Sequence, residues 1–222
     1  MIEAQKVELI YPDGTQAIKP FDLTIGKGEL WYITGPSGSG KTSFLKMLVG
    51  EVIPTGGILS VLKTHISETN GKSIRRLRQD IGPVFQDFRV LEGHTVFENI
   101  RIGMRFLKIS RTEMNQSAME ILGRVGLEHK ANTLVDHLSW GERQRVGIAR
   151  ASVRKPKLIV ADEPTGNLDH DNAVKILDLL ESFVSSETTV IITTHATHLI
   201  EKPFGHQLIH MDLGNIKVER EV

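Results

Sequence analysis

Residues 35–42 read Gly-Pro-Ser-Gly-Ser-Gly-Lys-Thr, a full match to the spacing G-x-x-x-x-G-K-[ST]. The chemistry open to such a loop is the cradling of phosphate. Gly35, Gly38 and Gly40 let the backbone curl until its N–H groups converge on oxygens, and a helix starting at the loop adds partial positive charge there. Lys41 can reach β- and γ-phosphates, and the Thr42 hydroxyl can ligate Mg²⁺. The competing reading is a glycine-rich turn leading into a core helix, which needs no ligand.

A second group of reactive residues lies about 120 positions on. The apolar run Leu158-Ile159-Val160-Ala161 ends in Asp162 and Glu163. A carboxylate at a strand end can hold Mg²⁺ beside Thr42, and its neighbour can polarise the water that attacks a γ-phosphate. Alone, Asp-Glu-Pro is also a reasonable strand-end turn. His195 follows another apolar run, Thr189-Val190-Ile191-Ile192-Thr193, and could hydrogen-bond a γ-phosphate, though a single histidine there is more often simply packed or solvated. His206 and His210 stand four apart in a strand-like segment, where they would share a face without converging, so a zinc site is not expected.

The elements that must position these groups follow from the pattern. Leu30–Thr34 reads as a buried strand running into the loop, and Ser43–Leu48 as the helix leaving it. Val7–Ile10 and Phe21–Ile25 read as earlier strands, Ile58–Val61 and Ile81–Phe85 as later ones, and Ile74–Gln79 as a basic helix. From Val96 to Leu138 strand signals vanish and helical spacing takes over at Met114, Ala118, Ile121, Leu122 and Val125, with Gly123 and Gly126 interrupting or ending that helix. Apolar strands at 158–161 and 189–193, separated by a helix over 173–184, predict a parallel sheet covered on both faces. Leu208–Val218 reads as a terminal hairpin turning at Leu213-Gly214-Asn215.

Composition narrows the class. The 222 residues are 40% hydrophobic and 24% charged, as in ordinary globular proteins, and 27 basic residues balance 27 acidic ones. That balance gives no reason to expect a nucleic-acid partner. Cysteine is absent, which removes disulfides and cysteine-based metal sites and permits a reducing cytoplasm. No apolar stretch approaches the ~18 residues that span a bilayer, and the N-terminus lacks a signal-peptide pattern. If the protein acts at a membrane, another polypeptide is expected to hold it there.

With these motifs placed, the chain resembles the nucleotide-binding domain of ABC ATPases along essentially its whole length. Leu138-Ser139-Trp140-Gly141-Glu142, followed by Gln144-Arg145, resembles the family signature; Gln86 matches the Q-loop glutamine; Asn167-Leu168-Asp169 resembles the D-loop. His195 matches the switch histidine, and Tyr11 the aromatic that stacks on adenine. The resemblance implies one α/β domain over 1–222: a P-loop, RecA-like core with an N-terminal antiparallel β subdomain over 1–87 and 141–222, and an inserted helical subdomain over 88–140. It implies ATP hydrolysis with Mg²⁺, and Glu163, His195 and Lys41 as catalytic groups. Tyr11, Gly35, Pro36, Ser37, Gly38, Ser39, Gly40, Lys41, Thr42, Ser43, Gln86, Ser139, Gly141 and Glu142 are the implied nucleotide-binding residues, and Thr42, Gln86 and Asp162 the metal-binding ones. It further implies a head-to-tail homodimer closing on two ATPs, and a membrane partner gripping the groove near Phe88–Thr95.

Within the family, Val84–Leu91 and Arg76–Gly82 look like the FtsE type of cell-division ATPase. That likeness implies an integral partner of the FtsX type, control of peptidoglycan hydrolysis, and a cytoplasmic, membrane-peripheral location. Ala161–Asp169 is shared with lipoprotein-release and macrolide-export ATPases, so those alternatives stay open, as does a low-turnover scaffold. Repair and translation ATPases of the family carry long insertions, zinc cysteines or two such domains, which this chain lacks. Trp140 replaces the usual first glycine of the signature. Were that position left-handed, an indole-bearing residue there would be strained by roughly 1–2 kcal/mol, and Trp140→Gly would leave turnover unchanged or raise it.

Overall fold

The computed structural model describes residues 1–200 and 205–219. In chain order its elements are β1 (Ile2–Ile10), β2 (Gln16–Ile25), β3 (Leu30–Thr34), α1 (Lys41–Leu48), β4 (Gly56–Val61), β5 (Thr64–His65), α2 (Gly71–Leu77) and β6 (Ile81–Val84). They continue with α3 (Val96–Gly103), α4 (Arg111–Arg124), α5 (Trp140–Ser152), β7 (Leu158–Ala161), α6 (His170–Glu181), β8 (Thr189–Thr194), β9 (Gln207–Asp212) and β10 (Asn215–Glu219).

Two sheets result. A four-stranded antiparallel sheet has the order β2-β1-β4-β5, and a six-stranded sheet has the order β10-β9-β3-β8-β7-β6. The larger sheet is parallel from β6 to β9, with β10 added antiparallel at its edge by the terminal hairpin. β7 and β8 lie inside it and are buried at every position, which is why β7 and the Val190–Ile192 centre of β8 are apolar without alternation.

Alternate side chains of these strands enter different cores. Trp31, Ile33, Ile191, Leu158, Val160 and Ile81 point into a cluster shared with α1 and the antiparallel sheet. Tyr32, Val190, Ile192, Ile159, Ala161 and Val84 point the other way, into a cluster shared with α3, α4, α5 and α6. The buried side chains of 88–140 thus continue the core beneath the sheet rather than forming a separate one. Among the described residues no helix is long and apolar enough to cross a membrane.

β1 begins five residues before the strand expected at Val7. Its inward residues run Ile2, Ala4, Val7, Leu9, so the alternation breaks at Lys6, a bulge with φ 47 whose N–H donates to Asp22 Oδ1 at 2.9 Å. The bulge hides the first half of the strand from a period-2 reading. The helix expected over 114–125 is α4, and the chain turns out of it at Gly126, with φ 70.

Candidate functional site

The start of α1 differs from those of α3, α4 and α5. α3, α4 and α5 each open with a capping box, Thr95 with Glu98, Ser110 with Glu113 and Ser139 with Glu142. α1 opens on Gly40, left-handed at φ 105, with no side-chain cap. Its first internal backbone bond is Phe44 N–H to Gly40 O at 2.9 Å, so the amides of Lys41, Thr42 and Ser43 are left for an external acceptor. Gly35 and Gly40 are needed because a Cβ would fall 2.0 Å from Met211 O and 2.5 Å from Ala17 O, respectively. Gly38, also left-handed, has open space where its Cβ would be. The loop is therefore packed from behind and empty in front.

That front faces a cleft of about 880 Å³ lined by Tyr11, Ser37, Gly38, Ser39, Gly40, Lys41, Thr42, Ser43, Gln86, Glu163 and His195, with Thr15, Gln16, Ala17, Leu213 and Gly214 completing its rim. Lys41 is only 6% exposed and is folded back on its own loop, donating to Gly35 O at 2.8 Å and Pro36 O at 3.1 Å. Its Nζ also lies 3.4 Å from Glu163 Oε1. The Tyr11 hydroxyl is hydrogen-bonded to Ser43 Oγ at 3.0 Å. Ser39 Oγ is buried without a hydrogen-bond partner.

The acidic pair is arranged by β8. Thr42 Oγ1 donates to Asp162 Oδ1 at 3.2 Å, and Thr193 Oγ1 donates to the same oxygen at 2.8 Å. Thr193 Oγ1 also accepts the Glu163 N–H at 2.9 Å. Glu163 has φ 45, a conformation rare outside glycine, which turns its side chain off the strand axis. Its Oε2 then accepts from His195, whose Nδ1 is 2.8 Å away and whose backbone N is 3.3 Å away. Sequence reading missed Thr193. The available signal was a hydroxyl within an otherwise apolar buried run, since a buried polar side chain calls for a partner.

These residues fit a triphosphate and its metal. The uncapped helix start and open glycine face suit anionic oxygens, and the converging Thr42 hydroxyl and Asp162 carboxylate are hard oxygen donors suited to Mg²⁺. Exposed Gln86 borders the same donors.

The signature residues lie elsewhere. Ser139, Gly141 and Glu142 do not line this cleft. Ser139 caps α5, and a Cβ on Gly141 would lie 3.7 Å from Leu168. Glu142, expected to touch nucleotide, has both carboxylate oxygens engaged within the chain: Oε1 accepts from Lys130 at 2.5 Å and Oε2 from Ser139 N at 2.9 Å. The hydrogen bond from Lys130, with the bonds to Ser139, holds its carboxyl far below the ordinary range, at about 2. The strain expected at Trp140 is also absent. Trp140 is the first residue of α5 and is not left-handed. Its indole is 44% exposed and meets the Phe88 ring edge-on at 4.4 Å between centroids.

Comparison with known proteins gives a consistent picture. A family model described as ABC transporter matches residues 18–166. The cell division ATP-binding protein FtsE of Mycobacterium tuberculosis is 41% identical over 200 residues, 90% of this chain and 86% of that protein. The methionine import ATP-binding protein MetN 2 of Bacillus cereus is 37% identical over 221 residues, 97% of this chain and 65% of that protein. The structure is similar to that of the ATP-binding cassette MJ0796, solved as a dimer in a post-hydrolysis state bound to ADP and Pi. Its TM-score is 0.86 at 32% identity, covering 99% of this chain and 98% of that one.

Proposed function

The chain belongs to the ABC transporter family and is an ABC-type ATPase, and on that premise we propose that two copies hydrolyse ATP between them to work a membrane partner in cell division. The observation that carries the paired arrangement is the division of the site. Residues 37–42 of the phosphate loop, Glu163 and His195 line one cleft, and Asp162 is tied to it through Thr42, whereas Ser139 and Gly141 lie outside it. A second copy placed head to tail supplies its signature to this cleft and receives this one in exchange.

Each side chain has a role that its present contacts support. Lys41 exchanges the carbonyls of Gly35 and Pro36 for β- and γ-phosphate oxygens, while the amides at the start of α1 hold the remaining oxygens. Thr42 and Asp162, with Gln86 beside them, would hold Mg²⁺, which would supply positive charge against that developing on the phosphates. Glu163 takes the proton of the attacking water, and His195 fixes the carboxylate through Oε2. Tyr11 lines the same cleft and supplies the ring against which the base would stack.

The test is Glu163→Gln. ATP binding persists, turnover falls on the order of 100-fold, and ATP-dependent dimers accumulate in light scattering. Unchanged turnover removes Glu163 from its role, and unchanged ATP binding in Lys41→Ala removes the phosphate site. The cell-division reading rests on the likeness to FtsE, and with it goes the proposal that the protein works at the cytoplasmic face of a membrane through a partner of the FtsX type. The likeness to MetN 2 favours solute import as the second reading. Co-purification with a four-span membrane protein supports division; ATP-driven solute uptake supports import.

A further inference from the structure

The tip of the β9–β10 hairpin breaks a local rule. Leu213 and Gly214 both have positive φ, 44 and 77 respectively, as a tight two-residue hairpin turn requires. Asparagine, aspartate or glycine is favoured at the first of these positions, because a branched apolar side chain in the left-handed region is strained and gains no local hydrogen bond. Leu213 is nevertheless a leucine, and it is 74% exposed, so its own fold does not bury it. A residue that is costly for the turn and unused by the core points to a role outside both.

The turn is held in one place. Gly214 N–H donates to Ser39 O of the phosphate loop at 3.3 Å, and Gly214 O accepts from Lys19 N at 2.9 Å. A Cβ on Gly214 would lie 3.1 Å from Ala17 O. The hairpin tip is thereby tied to the phosphate loop and to β2, and Leu213 lines the nucleotide cleft together with Thr15, Gln16, Ala17 and Tyr11. The Tyr11 loop closes on this same strand entry, with Tyr11 N–H donating to Thr15 O at 2.9 Å. The charged groups of the cleft, Lys41, Glu163 and His195, come from β-strand ends and α1 rather than from this rim.

We propose that Leu213 is a base-contacting residue which, with Tyr11, forms the apolar seat for the adenine ring. Exposed in the free protein, its side chain loses water when the base arrives, and that burial offsets the strain in the turn. The proposal rests on the ATP-site reading above and deepens it by naming a determinant that binds the base rather than the phosphates.

The test compares calorimetric affinities of the full chain for MgATP and for inorganic tripolyphosphate, which lacks the base. Leu213→Asn keeps the turn favourable, so its melting temperature matches or exceeds that of the parent protein. Its dissociation constant for ATP rises about fivefold, while that for tripolyphosphate is unchanged. Leu213→Met restores ATP affinity. An unchanged ATP affinity in Leu213→Asn overturns the proposal. So does an equal loss for both ligands, since the turn would then act through Ser39 on the phosphate loop. Failure of the parent protein to bind either ligand overturns the site reading itself, a result distinct from both.

Discussion

Thr193→Val removes one hydroxyl and keeps the side chain's shape, and the structure sets what that removal does. Thr193 is fully buried, and its Oγ1 links the backbone of Glu163 to the carboxylate of Asp162, accepting from Glu163 N–H at 2.9 Å and donating to Asp162 Oδ1 at 2.8 Å. The first bond is neutral, about 1 kcal/mol, and the second reaches a carboxylate, about 2 kcal/mol. Asp162 keeps the Thr42 hydroxyl and is partly exposed, so water replaces some of the second contribution. The net loss is about 2 kcal/mol, a fall in melting temperature of roughly 4–8 °C for a chain of this size. The functional effect is more specific. With its amide released, Glu163 has less reason to hold φ 45, and Asp162 is less firmly aimed at Thr42. The Mg²⁺ concentration for half-maximal ATPase activity is expected to rise about tenfold, as when the outer support of a metal ligand is removed. Thr193→Ser, which retains the hydroxyl, restores both. Urea titration and an ATPase assay over a Mg²⁺ series measure the two effects. A Thr193→Val protein within about 0.5 kcal/mol of the parent, with an unshifted Mg²⁺ curve, refutes the reasoning.

Three further outcomes follow from the signature region. Trp140→Ala and Phe88→Ala, combined in a double-mutant cycle by urea unfolding, should show a coupling of about 0.5–1.5 kcal/mol, the size expected for an edge-to-face pair; a coupling near zero leaves the ring contact without energetic content. Because no backbone strain exists at Trp140 to be relieved, Trp140→Gly is expected to lower stability, and a gain in stability contradicts that. Glu142 is held at about 2, below its unfolded value of 4.5, so the stability it contributes is present above pH 4.5 and is lost as pH falls from there towards 2. Solvent screening at this semi-open pair reduces that contribution to on the order of 1 kcal/mol. Glu142→Gln should flatten the stability profile across that window, and an unaltered acid limb refutes the assignment.

What was legible in the sequence, and what was not, divides along a physical line. Elements announced by repeating burial were legible: the fully apolar β7, the Val190–Ile192 run of β8, and the i, i+3, i+4 face of α4. The phosphate loop was legible because its glycines answer to contacts with Met211 O and Ala17 O and to the open face at Gly38. Single-residue backbone events were not. Lys6 bulges and resets the alternation of β1, and Glu163 goes left-handed with no glycine to mark it. Trp140 misled for the same reason: substitution of a glycine suggested a left-handed position, whereas the position is the first turn of a helix, where an L-residue is unstrained. Asn99 was also overlooked. It is fully buried, yet its amide exchanges bonds with the N–H and C=O of Leu91 at 2.7 and 3.1 Å, fixing the segment that leaves the Q-loop.

The same contacts bear on the roles proposed above for Lys41 and Glu163. Lys41 spends its donors on Gly35 O and Pro36 O and lies beside Glu163, while both oxygens of Glu163 are engaged, one near Lys41 and one by His195. A nucleotide entering the cleft draws Lys41 away from those carbonyls, because phosphate oxygens carry full charge and the carbonyls do not. That movement frees Glu163 Oε1 while His195 still holds Oε2, leaving one carboxylate oxygen oriented and unpaired, as a base for water requires. On the proposed roles, binding and activation would thus be linked through one lysine. The 3.4 Å pairing of Lys41 with Glu163 would, on those roles, open as a triphosphate is seated, so that hydrolysis would follow binding.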